Sequence, residues 1–183
     1  MVDVINALGP CAGGTAIYKA AKLAMNVRYP KRSRRRLSPQ TISRFQHLFP
    51  NLTLSNVRFV TSITHPGNWF QSEEDFDAIT IGYTMWFTRT RREVEETADG
   101  LRLLMHELVH VEQVRRMGGS EEVFGCAYGT GYVQGGLKYD NNPLEIEAYD
   151  FEDVHPVPSP TVLPAIPLGS WFPAVRHMTM STT

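Results

Sequence analysis

The run His106-Glu107-Leu108-Val109-His110 restricts the fold more than any other stretch of the chain. Histidines four residues apart share one face of a helix, one turn apart, so both reach a single metal ion only if this segment is helical. Glu107 then projects beside them, where it can take a proton from a water. This HExxH layout is that of a zinc hydrolase, and Zn2+ is the cofactor it predicts. Short patterns also arise by chance, so the surrounding sequence has to support it.

The surroundings do. Leu101, Leu104, Met105, Leu108 and Val111 have helical spacing and predict one long helix from about Thr97 to Met117, ended by Gly118 and Gly119. A catalytic zinc site takes three protein ligands and keeps one position open. The richest source of a third ligand follows Asn142 and Pro143, a cap and first-position pair that predicts a helix to about Asp153. It carries Glu145, Glu147, Asp150 and Glu152. Glu145 and Glu147 point about 200° apart on a helix, so only one can face a metal. The residue pattern leaves both open, and Glu145 also fits a capping box with Asn142.

Earlier elements are predicted from the same rules. Ser38 and Pro39 start a helix that runs to about Leu48 and stops before Pro50. Val57, Phe59, Thr61 and Ile63 alternate as a strand that His65, Pro66 and Gly67 end. Ile79, Ile81, Tyr83, Met85 and Phe87 predict a second strand with one large apolar face and a threonine-rich back. Thr15 to Met25 predicts a short helix, with Gly9, Pro10, Gly13 and Gly14 breaking what precedes it. Residues 119–141 are rich in glycine and aromatics and predict an ordered loop, with a short helix near Glu121 to Ala127. The tail from His155 is too rich in proline for a long helix, and Trp171 and Phe172 are its candidate anchors.

A length of 183 residues suits one domain with extensions, divided here as 1–36, 37–153 and 154–183. The net charge of −1 argues against a global field for nucleic acid or a membrane surface. The basic run Lys31, Arg32, Arg34, Arg35 and Arg36 reads first as a solvated linker, with a processing site or polyanion contact as alternatives. Two cysteines, Cys11 and Cys126, make no disulfide framework; each reads by default as a small buried hydrophobe, and whether they pair is left open by the sequence. No stretch has the length of a membrane span, and the start lacks a basic signal region. The expectation is a soluble protein, cytoplasmic or secreted without a signal peptide, of open oligomeric state.

Four segments resemble a known family in order. Phe49 to Val60 (FPNLTLSNVRFV) is similar to its opening strand, and Ala78 to Phe87 (AITIGYTMWF) to its glycine-containing edge strand. Leu103 to Gln113 (LLMHELVHVEQ) matches its metal helix, and Asn142 to Phe151 (NPLEIEAYDF) its Glu-x-x-Ala helix. Over residues 37–153 the chain resembles the gluzincin zinc metallopeptidases, and among them the metallopeptidase domain of extracellular contractile injection systems, the eCIS core. The resemblance implies an α+β, zincin-like fold: a small, mainly antiparallel sheet on the HExxH helix, with a second helix bringing a glutamate. It implies that His106, His110 and Glu145 hold the metal, Glu145 standing three residues before the small Ala148. Tyr149 stands where relatives carry Asp or Asn to steady a ligand histidine, so its hydroxyl or Asp150 would take over that task.

The implied function is a zinc-dependent metalloendopeptidase with Glu107 as general base and a peptide or protein as substrate, and with no nucleic-acid partner. Tyr132, Tyr139, Tyr149 and His155 are the candidate stabilisers of the oxyanion. Ile79, Ile81 and Tyr83 are the candidate substrate strand, along which a peptide would add as one more strand. The alternative is a non-catalytic zinc-binding adaptor or cargo protein of a secretion or toxin system.

Overall fold

A computed structural model describes residues 7–64 and 77–157. The expected strand end at residues 65–67 and the anchors Trp171 and Phe172 lie outside the described residues. Within them the fold is α+β, with six α-helices and a mixed four-stranded sheet. The helices are α1 (Pro10–Arg28), α2 (Pro39–Phe45), α3 (Arg91–Glu96), α4 (Ala98–Arg116), α5 (Glu121–Gln134) and α6 (Pro143–Val154). The strands are β1 (Arg35–Arg36), β2 (Arg58–Val60), β3 (Ala78–Ile81) and β4 (Thr84–Phe87). Their order across the sheet is β1-β2-β4-β3, with β2 and β4 parallel and the other pairs antiparallel.

Local chemistry explains the helix boundaries. Thr97 caps α4, its hydroxyl accepting from the Gly100 N–H at 3.0 Å. Gly118 and Gly119 follow α4 with positive φ, a conformation that ends a helix without a Cβ penalty. Asn142 caps α6 by accepting from the Leu144 N–H at 3.1 Å. The Asn142 N–H donates to the Tyr139 carbonyl at 2.9 Å, so Glu145 does not close a capping box and its carboxylate points elsewhere.

The expected single strand over Ile79 to Phe87 is a hairpin. Gly82, at φ 61°, starts a two-residue turn, the position where hairpin turns of type II′ take glycine. Ile79 lies opposite Trp86 and Thr80 opposite Met85, so Ile79 and Ile81 face away from Met85 and Phe87. Unbroken alternation concealed this because the sheet is buried on both sides.

One face of the sheet, with Phe59, Met85 and Phe87, packs on Leu101, Leu104, Met105 and Leu108 of α4. Each such side chain contributes about 1.5–3 kcal/mol by burial. The other face, with Val60, Ile81 and Trp86, packs on Ala21 and Met25 of α1. The N-terminal segment is thus a layer of the fold, and α1 is longer than the expected Thr15 to Met25.

Residues 119–141 also depart from expectation, since α5 is a helix of 14 residues. The glycines read as breakers are packing positions. A Cβ on Gly129 would lie 2.6 Å from the Gly14 Cα, and one on Gly14 would lie 2.7 Å from the Gly129 Cα, so α1 and α5 meet backbone to backbone. Cys11 and Cys126 join the same two helices by a disulfide, across a sequence separation of 115. The reading of both as buried thiols is corrected: Cys11 is exposed and Cys126 half-buried. A cross-link over so long a span is worth about 4–5 kcal/mol in chain entropy.

Candidate metal centre

Helix α4 is buried along the stripe that also carries the motif, so His106, Glu107 and His110 are 4, 4 and 5% exposed. Helix α6 crosses it and delivers Glu145, 2% exposed. His106 Nε2 is 3.1 Å from His110 Nε2 and 3.1 Å from Glu145 Oε2, and His110 Nε2 is 3.2 Å from the same oxygen. Ligand atoms held about 2.0–2.2 Å from a tetrahedral zinc lie roughly 3.3 Å apart. The three atoms therefore match the base of such a site, and these residues could bind a metal.

Each imidazole is oriented from behind. Glu152 Oε1 accepts from His106 Nδ1 at 2.6 Å, and its Oε2 accepts from Arg102 Nε at 2.6 Å. Gln113 Oε1 accepts from His110 Nδ1 at 2.8 Å, while Gln113 Nε2 donates to the Leu144 carbonyl at 2.8 Å. With both Nδ1 atoms donating, the Nε2 lone pairs are left for a cation. The hydrogen bond expected from Tyr149 or Asp150 to a histidine of the motif comes instead from Glu152, one turn beyond Ala148. The Tyr149 ring packs edge-on against His106, with centroids 4.8 Å apart.

Charge agrees with geometry. Glu107, Glu145 and Glu152 surround two imidazoles. Burial by itself lowers the His106 pKa, but the hydrogen bonds to Glu145 and Glu152 and the nearby Glu107 charge outweigh it and raise it to about 10. His110 is raised too, burial opposing and the Glu145 charge prevailing. Burial raises the Glu145 pKa, but the two imidazoles overcome it and hold the carboxyl well below the usual range. Such a pocket favours positive charge.

Glu107 is held differently. Thr80 of β3 donates to Glu107 Oε2 at 2.5 Å, which ties the carboxylate to the edge of the sheet. Burial raises its pKa more than the imidazoles and Thr80 lower it. Glu147, the rival third ligand, points away: it pairs with Arg116 at 2.5 Å and is 42% exposed.

The tyrosines divide. Tyr128, missed by sequence reasoning, donates to Glu145 Oε1 at 2.6 Å, and burial and the Glu145 charge raise its pKa. Tyr139 is close enough for burial and Glu145 to raise its pKa, and Tyr149 is raised by burial and by Glu145 more weakly. Tyr132 is half-buried one turn after Tyr128 on α5. His155 is not brought to the group. It is the C-cap of α6, ten residues after Glu145 and roughly 15 Å along the axis, and its Nδ1 donates to the Phe151 carbonyl at 2.9 Å. Of the expected substrate strand, Ile79 and Ile81 lie on the edge strand β3, and Tyr83 sits in the turn.

The roles of Tyr128, Glu152 and Thr80 escaped the sequence for one reason. Each acts through a contact between elements distant in sequence, and none belongs to a local motif. Among the described residues no helix is long and apolar enough to cross a membrane.

No curated protein and no solved structure matches the chain. Residues 36–118, which carry β2, β3, β4 and the whole HExxH helix, match the family model described as the eCIS core domain.

Proposed function

We propose that this protein is a zinc-dependent metallopeptidase that hydrolyses peptide bonds, with His106, His110 and Glu145 holding the metal and Glu107 as general base. The single observation that carries the reading is the triangle of Nε2, Nε2 and Oε2 atoms, beside a buried glutamate tied to a sheet edge. Zinc bound there supplies Lewis-acid activation of a water and of the scissile carbonyl. Glu107 accepts the proton of the attacking water and returns it to the leaving amine. Thr80 fixes the carboxylate rotamer, so that the base is positioned before substrate arrives. Tyr139 and Tyr149, near Glu145, are the hydroxyls available to donate to the developing oxyanion.

The edge strand supports a peptide as substrate. Asp77 and Thr88 form a hydrogen-bonded pair at 2.9 Å, and antiparallel pairs alternate, so Ile79 and Ile81 also bond to β4. The backbone groups of Ala78 and Thr80 then face outward, beside Glu107, where an extended peptide can pair. An adaptor that used the metal only as a clip would have no use for Glu107 or for its tie to Thr80.

The Glu107→Gln variant tests the reading. It is expected to keep the metal content of the wild type and to lose at least 100-fold in cleavage of labelled casein. Cleavage at the wild-type rate removes Glu107 as the base.

A further inference from the structure

The backbone row that faces outward on β3 continues past Ala78 and Thr80 to Gly82, but the Gly82 N–H is already taken. It donates to the Tyr18 hydroxyl of α1 at 2.5 Å. That hydroxyl sits where a carbonyl of a paired peptide would otherwise arrive. Tyr18 is held there by its ring, which packs on Phe124 of α5 with centroids 5.3 Å apart. Phe124 in turn lies against His110, with ring centroids 6.4 Å apart. Helix α1 therefore closes the Gly82 end of the edge within reach of the metal centre.

Part of what keeps α1 in place is covalent, beside the packing of Ala21 and Met25 on the sheet. The backbone contact at Gly14 and Gly129 brings little apolar area, since neither residue has a side chain. The pairs Lys19–Glu122 and Lys22–Glu121 are at 2.5 Å each, but the lysines are exposed and such pairs are weak. The Cys11–Cys126 disulfide supplements them, and its solvent-facing Cys11 leaves it open to thiols. Both helices of the clasp lie outside the segment 36–118 that matches the family.

We propose that the Cys11–Cys126 disulfide clasps α1 over the Gly82 end of the β3 edge as a stop for an incoming peptide, and that reduction by a dithiol releases the stop. The inference rests on the peptidase reading for its substrate. In the step, a dithiol gives two electrons and two protons and becomes a disulfide, and the Cys11–Cys126 S–S bond breaks to leave two thiols. Without the link, α1 is held by the weak pairs, by a few hydrogen bonds and by the packing of Tyr18, Ala21 and Met25, and it loses the chain-entropy contribution of the cross-link, so it opens locally more often. The clasp is closed in an oxidising compartment and opens in a reducing one.

The test uses the full chain as the metal-loaded Glu107→Gln variant, so that nothing is cleaved, oxidised or reduced with dithiothreitol. Hydrogen exchange reads the Gly82 amide and residues 10–28, and fluorescence anisotropy reads binding of labelled casein. Reduction is expected to speed exchange at Gly82 and in α1 at least tenfold and to tighten casein binding at least threefold. Adding Tyr18→Phe to the oxidised protein frees the Gly82 N–H without cutting the link, and is expected to tighten casein binding as well. Exchange that changes less than twofold on reduction overturns the proposal. So does casein affinity unmoved by both reduction and Tyr18→Phe while exchange accelerates. If exchange accelerates and casein binds in neither state, the peptidase reading fails and the stop falls with it, whereas casein bound equally in both states overturns the stop and leaves the peptidase reading in place.

Discussion

Replacing Glu152 by alanine isolates the orientation of His106, one of the three proposed metal ligands. Glu152 lies on α6 and never touches the position of the metal. Its Oε1 takes the His106 Nδ1 proton at 2.6 Å, and the carboxylate is only 6% exposed. The second half of its contact, to Arg102, is open to water and screened, since the Arg102 side chain is 55% exposed. The loss therefore falls on His106: its ring can turn, and its tautomer is no longer fixed. Removing such a partner costs about 10–100-fold in metal affinity, or about 1.4–2.7 kcal/mol. Competition with a chromophoric zinc chelator at constant pH measures this directly. Glu147→Ala is the control, because Glu147 is 42% exposed and serves Arg116 and Gln113, which keeps its Leu144 contact without it. Its zinc affinity is expected to change less than about twofold. Glu152→Gln should recover part of the loss, since an amide oxygen still accepts from Nδ1. If Glu152→Ala binds zinc within twofold of the wild type, or Glu147→Ala loses more, the orientation argument is refuted.

Two further perturbations address the scaffold. Glu95, 6% exposed, accepts from the Ser38 N–H and Thr41 hydroxyl at 2.8 Å each and from Arg91 at 2.6 Å. Burial pushes its pKa up, but these bonds outweigh that and place it below the ordinary 4.5. A depressed carboxyl stabilises the fold above its unfolded value and loses that contribution as pH falls through its folded value. Glu95→Ala should thus cost about 1.5–3 kcal/mol in urea melts at pH 7 and visibly less at pH 3, and a gap equal at both pH values contradicts the account. Gly129→Ala puts a Cβ 2.6 Å from the Gly14 Cα, so the α1–α5 pair must separate. A loss of about 1–3 kcal/mol, seen as a lower Tm, is expected, and an unchanged Tm would show that the helices are not in backbone contact.

The parts legible in the sequence were those set by short-range chemistry. The apolar spacing from Leu101 to Val111 with the glycine pair Gly118 and Gly119, and Asn142 with Pro143, mark α4 and α6, and helical spacing alone brings His106 and His110 together. The choice of Glu145 over Glu147 came from the resemblance, and packing of α6 on α4 supplies its physical reason. The parts that escaped depend on two elements meeting. Gly14 reads as a break in the sequence and Gly129 falls in the expected loop, yet both act as close-approach positions once α1 lies against α5. The hairpin at Gly82 was hidden because both faces of β3 and β4 are buried, so apolar alternation runs through the turn. Cysteines 115 residues apart carry no sign of their pairing.

The central claim is that three side chains from α4 and α6 converge on one cation. Zinc titration of the metal-stripped full chain, read by isothermal calorimetry and checked by elemental analysis, tests it most directly. The account expects one zinc per chain, with that site lost in His110→Ala and in Glu145→Ala and kept in Glu107→Gln. A chain that takes up no zinc, or whose Glu145→Ala variant binds it as tightly as the wild type, contradicts the account.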